Sequence, residues 1–289
     1  MVYKTAKARQ IVDDIEACFS VSSLGVWFKF RVMIGASTVP LIYKYKGFNE
    51  YTEALISESY LWFSTPSEFN DPFECRPWFN FNYEPHQLVE AMARHIRRIK
   101  PSVTPNAATA EAVGIFLEGR HRRPEIWEAL RTGVIESTTK RIAVLCLSAV
   151  EDSILMWSHY AQDHTGICLG FEWSECAPFF GRAQEVIYSD DFPIVDFFNT
   201  PADRQVENIF LTKFSGWKYE KEWRIIEHNS GPGSYEYPGG LLKTITFGCK
   251  TAQKHKELVR IWAARRKSQV QFRECFLEKR QFKLRIVDV

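Results

Sequence analysis

No run of this 289-residue chain reaches the roughly 20 apolar residues that a membrane-spanning helix needs. The nearest, Val21 to Ile34, is broken by Lys29 and Arg31. Asp13, Asp14 and Glu16 precede it where a secretory leader would be basic, so neither insertion nor export is expected. Cysteine is sparse, seven residues with no Cys-x-x-Cys pair, which indicates neither a disulfide framework nor a zinc knuckle and gives a reduced, cytoplasmic setting as the expectation. An excess of one charge is missing too: 37 basic against 35 acidic residues leave +2, which gives no electrostatic argument for a nucleic-acid partner. The basic runs Arg94 to Lys100, Arg120 to Arg123 and Arg265 to Lys267 read as solvated helix faces or helix ends. There is no internal repeat, low-complexity tract or linker. One domain over residues 39–289 is therefore expected, behind an amphipathic helical N-terminal extension at 1–38.

Aromatic residues, by contrast, are plentiful: 22 Phe, 11 Tyr and 9 Trp predict a well-packed interior. Leu41 to Tyr45 has the residue types of a strand, Asn49 to Glu58 those of a short helix with Asn49 as its cap, and Tyr60 to Ser64 those of a second strand. From about 85 to 140 the apolar spacing is helical, and Pro101, Pro105 and Pro124 cut it into three segments, which predicts a helical insertion. The second half alternates faster. Strands are expected at 142–148, 166–173, 185–188, 222–226, 241–247, 270–276 and 282–287, with helices at 154–161, 201–214 and 251–265. Such mixing without a regular strand-helix repeat predicts an α+β fold with a mixed, mostly antiparallel sheet.

Three clusters concentrate reactive side chains among aromatics. Phe69-Asn70-Asp71-Pro72-Phe73-Glu74 combines turn formers with two carboxylates, Asp71 and Glu74, suited to a hydroxyl, a base or a metal. In Met156-Trp157-Ser158-His159-Tyr160, Met156, His159 and Tyr160 share a helix face, with His164 following just before Gly166. The five-residue step from His159 to His164 is wrong for two zinc ligands on one helical turn, and no metal site is expected. In Trp217 to Arg224, strand alternation puts Glu220, Glu222 and Arg224 on one side, between aromatics able to stack on a planar ligand. Buried polar groups need partners, so a common pocket is the expected reason for all three.

These signatures, with Leu41-Ile42-Tyr43-Lys44-Tyr45, resemble the bacterial domain-of-unknown-function family 2971, whose activity is unassigned. The order of an aromatic first strand, a helix, Trp62-Phe63-Ser64-Thr65 and a late Glu-x-Glu is more distantly similar to ADP-ribosyltransferases. That likeness implies NAD as co-substrate: Glu222 as the ribose-binding carboxylate, Glu220 orienting a water or acceptor, Ser64 supporting Glu222, and Tyr45 and Tyr160 as stacking walls, in an enzyme of toxin or defence type. His159 joins them as a catalytic candidate. Tyr43, Lys44, Asn70, Asp71, Glu74, Trp157, His164 and Arg224 are ligand-binding candidates. No first-strand Arg or His of the kind those enzymes carry is present; Tyr43 or Lys44 stands there instead. Two other classes fit the same residues: a metal-dependent phosphodiesterase or nuclease using Asp71, Glu74, Glu220 and Glu222 with Lys213 or Lys221 near the phosphate, and a non-catalytic module for a nucleotide-like ligand. The acceptor is a nucleic acid, a protein or water.

Overall fold

A computed structural model describes residues 41–228 and 230–289, so the expected extension at 1–38 lies outside the described residues. In chain order the elements are β1 (Leu41–Lys46), α1 (Thr52–Ser57), β2 (Tyr60–Phe63), β3 (Trp78–Asn80), α2 (Pro85–Ile99), α3 (Pro105–Leu117), α4 (Pro124–Arg141) and β4 (Ala143–Ser148). There follow α5 (Ile154–Tyr160), β5 (Ile167–Glu172), β6 (Gln184–Glu185), β7 (Ile187–Ser189), β8 (Ile194–Asp196), α6 (Ala202–Phe210) and β9 (Thr212–Phe214). The last are β10 (Glu222–Glu227), β11 (Gly233–Glu236), β12 (Leu242–Phe247), α7 (Gln253–Ala264), β13 (Gln271–Leu277) and β14 (Leu284–Asp288). No helix among the described residues is long and apolar enough to cross a membrane.

The described chain forms two compact units. One comprises residues 66–142 and 191–212 and contains the expected helical insertion. Its helices α2, α3 and α4 each begin on a proline, Pro85, Pro105 and Pro124, because the first helical residue has no use for an amide proton. The Thr104 side chain caps α3, and Glu84 with Gln87 forms a reciprocal capping pair at α2. Ala93, Ile96, Ala108 and Ala112 pack α2 on α3. The three-residue strands β3 and β8, which periodicity does not predict, pair in parallel.

The other unit, residues 41–65, 143–190 and 213–289, is built on an eight-stranded sheet of order β14-β13-β12-β5-β1-β4-β10-β6. Every pairing is antiparallel except β12 with β13, the pair that α7 connects. The expected α+β fold with a mixed, mostly antiparallel sheet is what is found. Strand alternation sorts the side chains onto two faces. Ile42, Leu145, Leu147, Leu169, Phe171, Ile225, Ile245 and Phe247 join Leu55 and Ile56 of α1 and Val259 and Ala263 of α7 in one core. Tyr43, Tyr45 and Cys168 meet Met156 and Trp157 of α5 on the opposite face. On that second face one row of neighbours crosses the sheet: Glu222, Ser148, Tyr43, Gly170 and Thr244.

Three features differ from the sequence expectation, and all bear on the site. The helix expected to run to 214 ends at Phe210, and the chain continues as β9, so Lys213 is presented from a strand. Glu220 is not on β10. It ends a 3-10 turn, Ser215–Glu220, and Lys221 follows in the left-handed region at φ 42°. The expected strand at 185–188 splits into β6 and β7, with the Val186 amide donating to the Glu222 carbonyl between them.

Candidate functional site

Glu222 and Arg224 lie two apart on β10 and so share the second face of the sheet. Lys213 reaches them from β9. Glu220 is swung in by the left-handed Lys221, whose carbonyl accepts from the Ala149 amide while the Ser148 hydroxyl donates to the Glu220 carbonyl at 2.5 Å. Two carboxylates and two cations thus meet where none is more than 5% exposed.

The four side chains form a chain of charge-assisted hydrogen bonds. Arg224 grips Glu222 with two donors, Nε to Oε1 at 2.7 Å and NH2 to Oε2 at 2.9 Å. Lys213 Nζ bridges the carboxylates, 2.9 Å from Glu222 Oε2 and 2.6 Å from Glu220 Oε2. The Tyr160 hydroxyl donates to Glu220 Oε1 at 2.6 Å. The Glu222 amide donates to the Tyr188 hydroxyl at 2.8 Å. Formal charge sums to zero, which is what lets so many ions be buried together.

The two carboxyls nevertheless titrate in opposite directions. Burial pushes Glu222 up, but Arg224 first and Lys213 second overcome it and hold the group down at about 2. Burial also pushes Glu220 up; there Lys213 pulls the other way without prevailing, and the neighbouring charge of Glu222 adds to the rise. Burial lifts the Tyr188 and Tyr219 hydroxyls to about 12, so both stay protonated at neutral pH.

Above this network, His159, Trp217 and Tyr219 form an aromatic rim. His159 Nδ1 is 3.0 Å from the Tyr219 hydroxyl, and the ring centroids of the three residues are 6.0 to 6.3 Å apart. Lys213 Nζ lies 5.1 Å from the centroid of the Trp217 ring, linking rim and network through a cation–π contact.

Residues 156–225 match the family model described as Protein of unknown function (DUF2971). That span opens on Met156 and takes in the rim, Tyr160 and all four charged residues of the network. Phe69 to Phe73 lies outside it. No curated protein and no solved structure matches the chain. What this chain shares with DUF2971 is therefore the segment that builds the polar network.

The remaining expected residues divide sharply. Tyr160, His159 and Arg224 stand at the buried polar network or its rim. Tyr45 and Trp157 are core residues instead: Tyr45 donates to the Val150 carbonyl at 2.8 Å, Trp157 to the Glu151 carbonyl at 2.8 Å, and their rings meet edge to face. Lys44 donates to the Cys146 carbonyl at 2.9 Å. Ser64 pairs with Val144 through the backbone, and the serine opposite Glu222 is Ser148, four positions further along β4. Tyr43 is half-buried near Glu151 and Arg273, and burial first, with the Glu151 charge second, raises its hydroxyl to about 12.

His164 ends a left-handed turn of three residues, Gln162, Asp163 and His164, with φ of 51°, 53° and 70°. Its carbonyl accepts from the Lys250 amide, and burial first, then the Lys250 charge, lower the pKa of its ring against the pull of Asp163. Asn70, Asp71 and Glu74 belong to the unit formed by 66–142 and 191–212. There Asp71 closes its own turn, accepting from the Phe73 amide at 2.8 Å.

Sequence reasoning gave no role to Ser148 or Tyr188 and placed Lys213 only beside a phosphate. The signal for Lys213 was its spacing from Glu220, masked by the helical pattern that runs past Phe210. Among the described residues, no group of three or more His, Cys, Asp or Glu side chains is placed to hold a metal ion.

Proposed function

We propose that the DUF2971 network is the reactive centre of an enzyme that cleaves the N-glycosidic bond of a nucleotide-like substrate, NAD first among them, in the manner of ADP-ribosyltransferases. One observation carries the reading: two buried carboxyls share Lys213, but Glu222 has both oxygens on cations while Glu220 has one on Lys213 and the other on the neutral Tyr160 hydroxyl, so the first is held down and the second pushed up, the arrangement by which a site obtains an acid–base group and a fixed anion from the same residue type. Glu222 stays ionised and stabilises the positive charge that develops on the ribose carbon as the C1′–N bond lengthens. Nicotinamide leaves with the bonding electron pair, a water or acceptor oxygen bonds to C1′, and Glu220 takes the proton that this oxygen gives up. The Tyr160 hydroxyl on Glu220 marks where that oxygen docks, and His159, Trp217 and Tyr219 stack on the planar ring.

A non-catalytic module for a nucleotide-like ligand is the second reading. It is favoured by Glu222 having both oxygens committed to Arg224 and Lys213. Chromatographic detection of nicotinamide after incubation with NAD separates the two. Release is expected, falling about a hundredfold or more in Glu220→Gln and also in Glu222→Gln. Intact NAD with a raised melting temperature supports the second reading. Intact NAD without any shift, or release indifferent to both substitutions, removes both.

A further inference from the structure

Away from the polar network, the ribbon formed by β2 and β11 has one face in the core and one bare. Leu61, Phe63 and Tyr237 point inward and are buried. On the outer face Tyr60 and Trp62 alternate along β2, and the register puts Glu236 opposite Tyr60 and Ser234 opposite Trp62. Tyr51, at the start of α1, stacks on Trp62 at 6.4 Å between centroids and 25° between planes. The three rings are 59%, 37% and 48% exposed for Tyr51, Tyr60 and Trp62. Single exposed aromatics are ordinary, but three on one small platform form a patch of the kind that marks an interaction surface.

The charge contributed by the platform's own stretches, residues 47–64 and β11, has one sign, while Arg265 and Arg266 approach from the end of α7, Arg265 on Glu53 and Arg266 on the Ile56 and Gly239 carbonyls. From Gly47 to Cys75 the sequence has no Lys or Arg, and Glu50, Glu53 and Glu58 lie within its first half. Across the ribbon, Glu236 is the only charged residue of β11. Glu53 is neutralised by an ion pair with Arg265. Glu50, Glu58 and Glu236 are all exposed and form no ion pair among the described residues. Stacked electron-rich rings rimmed by unneutralised carboxylates are complementary to a guanidinium or ammonium group, which gains from the ring faces and the carboxylates together.

We infer that the Tyr51–Tyr60–Trp62 platform docks an extended, arginine- or lysine-bearing peptide segment of a partner protein. Its cation lies on Trp62 and its charge faces Glu236. This surface is separate from the DUF2971 network, and nothing about it depends on whether that network is catalytic.

Fluorescence anisotropy tests it with a labelled octapeptide of alternating serine and arginine, and a serine–glutamate octapeptide as control. Saturable binding of the arginine peptide is expected, weakening as salt is added. Affinity should drop about tenfold in Trp62→Ala and survive in Trp62→Phe, as a ring-face contact requires. Glu236→Lys should reduce it as well. Both side chains point outward, and unchanged thermal unfolding confirms that each variant is folded. Several results would overturn the proposal. These are no saturation at millimolar peptide, equal binding of the acidic peptide, binding indifferent to Trp62→Ala, or a dimer in sedimentation that Trp62→Ala dissolves, which would make a second copy the occupant.

Discussion

On the second face of the sheet, two ion-pair networks each hold a pair of carboxylates with an arginine, one of them with a lysine as well, in different surroundings. In the first, Lys213, Glu220, Glu222 and Arg224 are buried, none more than 5% exposed. In the second, Arg273 joins Glu151 at 2.9 Å and Asp288 at 3.1 Å, with the Thr246 hydroxyl donating to Glu151, while the Asp288 side chain is 64% exposed. The buried network holds two cations against the one arginine of the second, and its carboxyls are driven apart, Glu222 held down at about 2 and Glu220 pushed up. Water at one end of the second network screens its charges; the buried network has only its own members to balance them. Burial, rather than the number of ion pairs, is what makes one of the two a candidate for chemistry.

The largest difference between them should appear when one cation is removed. Arg224→Met leaves Glu222 buried without its two-pronged partner, a loss of about 3–5 kcal/mol. Arg273→Met leaves Asp288 in water and Glu151, 10% exposed, still holding the Thr246 hydroxyl, and should lose about 2 kcal/mol or less. Urea unfolding followed by circular dichroism measures both, and equal losses would mean that burial does not separate the two networks.

That burial was the part of the site least legible in the sequence. Most strands and helices could be read from the spacing of apolar residues, because period 2 and period 3.6 leave different traces over six or more residues. The turn at Asp71 was legible from its Asn-Asp-Pro chemistry. The three-residue strands β3 and β8 left no such trace. The Glu-Trp-Arg alternation of β10 reads equally well as a solvated strand, and only its neighbour β4 and Tyr188 of β7 show that it is enclosed. Glu220 was placed on the strand because a left-handed Lys221 has no sequence signature; Gly or Asn would have announced it.

Acid titration sharpens the comparison next, with a smaller effect. Glu222 has its folded pKa below the ordinary 4.5, so its contribution to stability is complete above pH 4.5 and is lost as pH falls toward 2. For a shift of this size that is about 3 kcal/mol. Glu220 has its folded pKa raised, so its contribution has the opposite sign: present below 4.5 and lost as pH rises through the folded value. Unfolding free energies measured from pH 2 to 7 should show a steep acid loss that flattens in Glu222→Gln. In Glu220→Gln the decline on the alkaline side should disappear instead. The same slope in wild type and both variants would show that neither carboxyl is perturbed as described.

The smallest expected effect tests the exposed end of the second network. Asp288 meets Arg273 through a single bond at 3.1 Å and is mostly in water, whereas Glu151 keeps its own bond to Arg273 and that from Thr246. Asp288→Asn removes one screened attraction and leaves no buried group without a partner, so the change in stability should stay within about 0.5 kcal/mol. That small change should also shrink further in high salt, since only exposed charge pairs respond to screening. A loss above about 2 kcal/mol, insensitive to salt, would place Asp288 in a network as closed as the first and erase the distinction between the two.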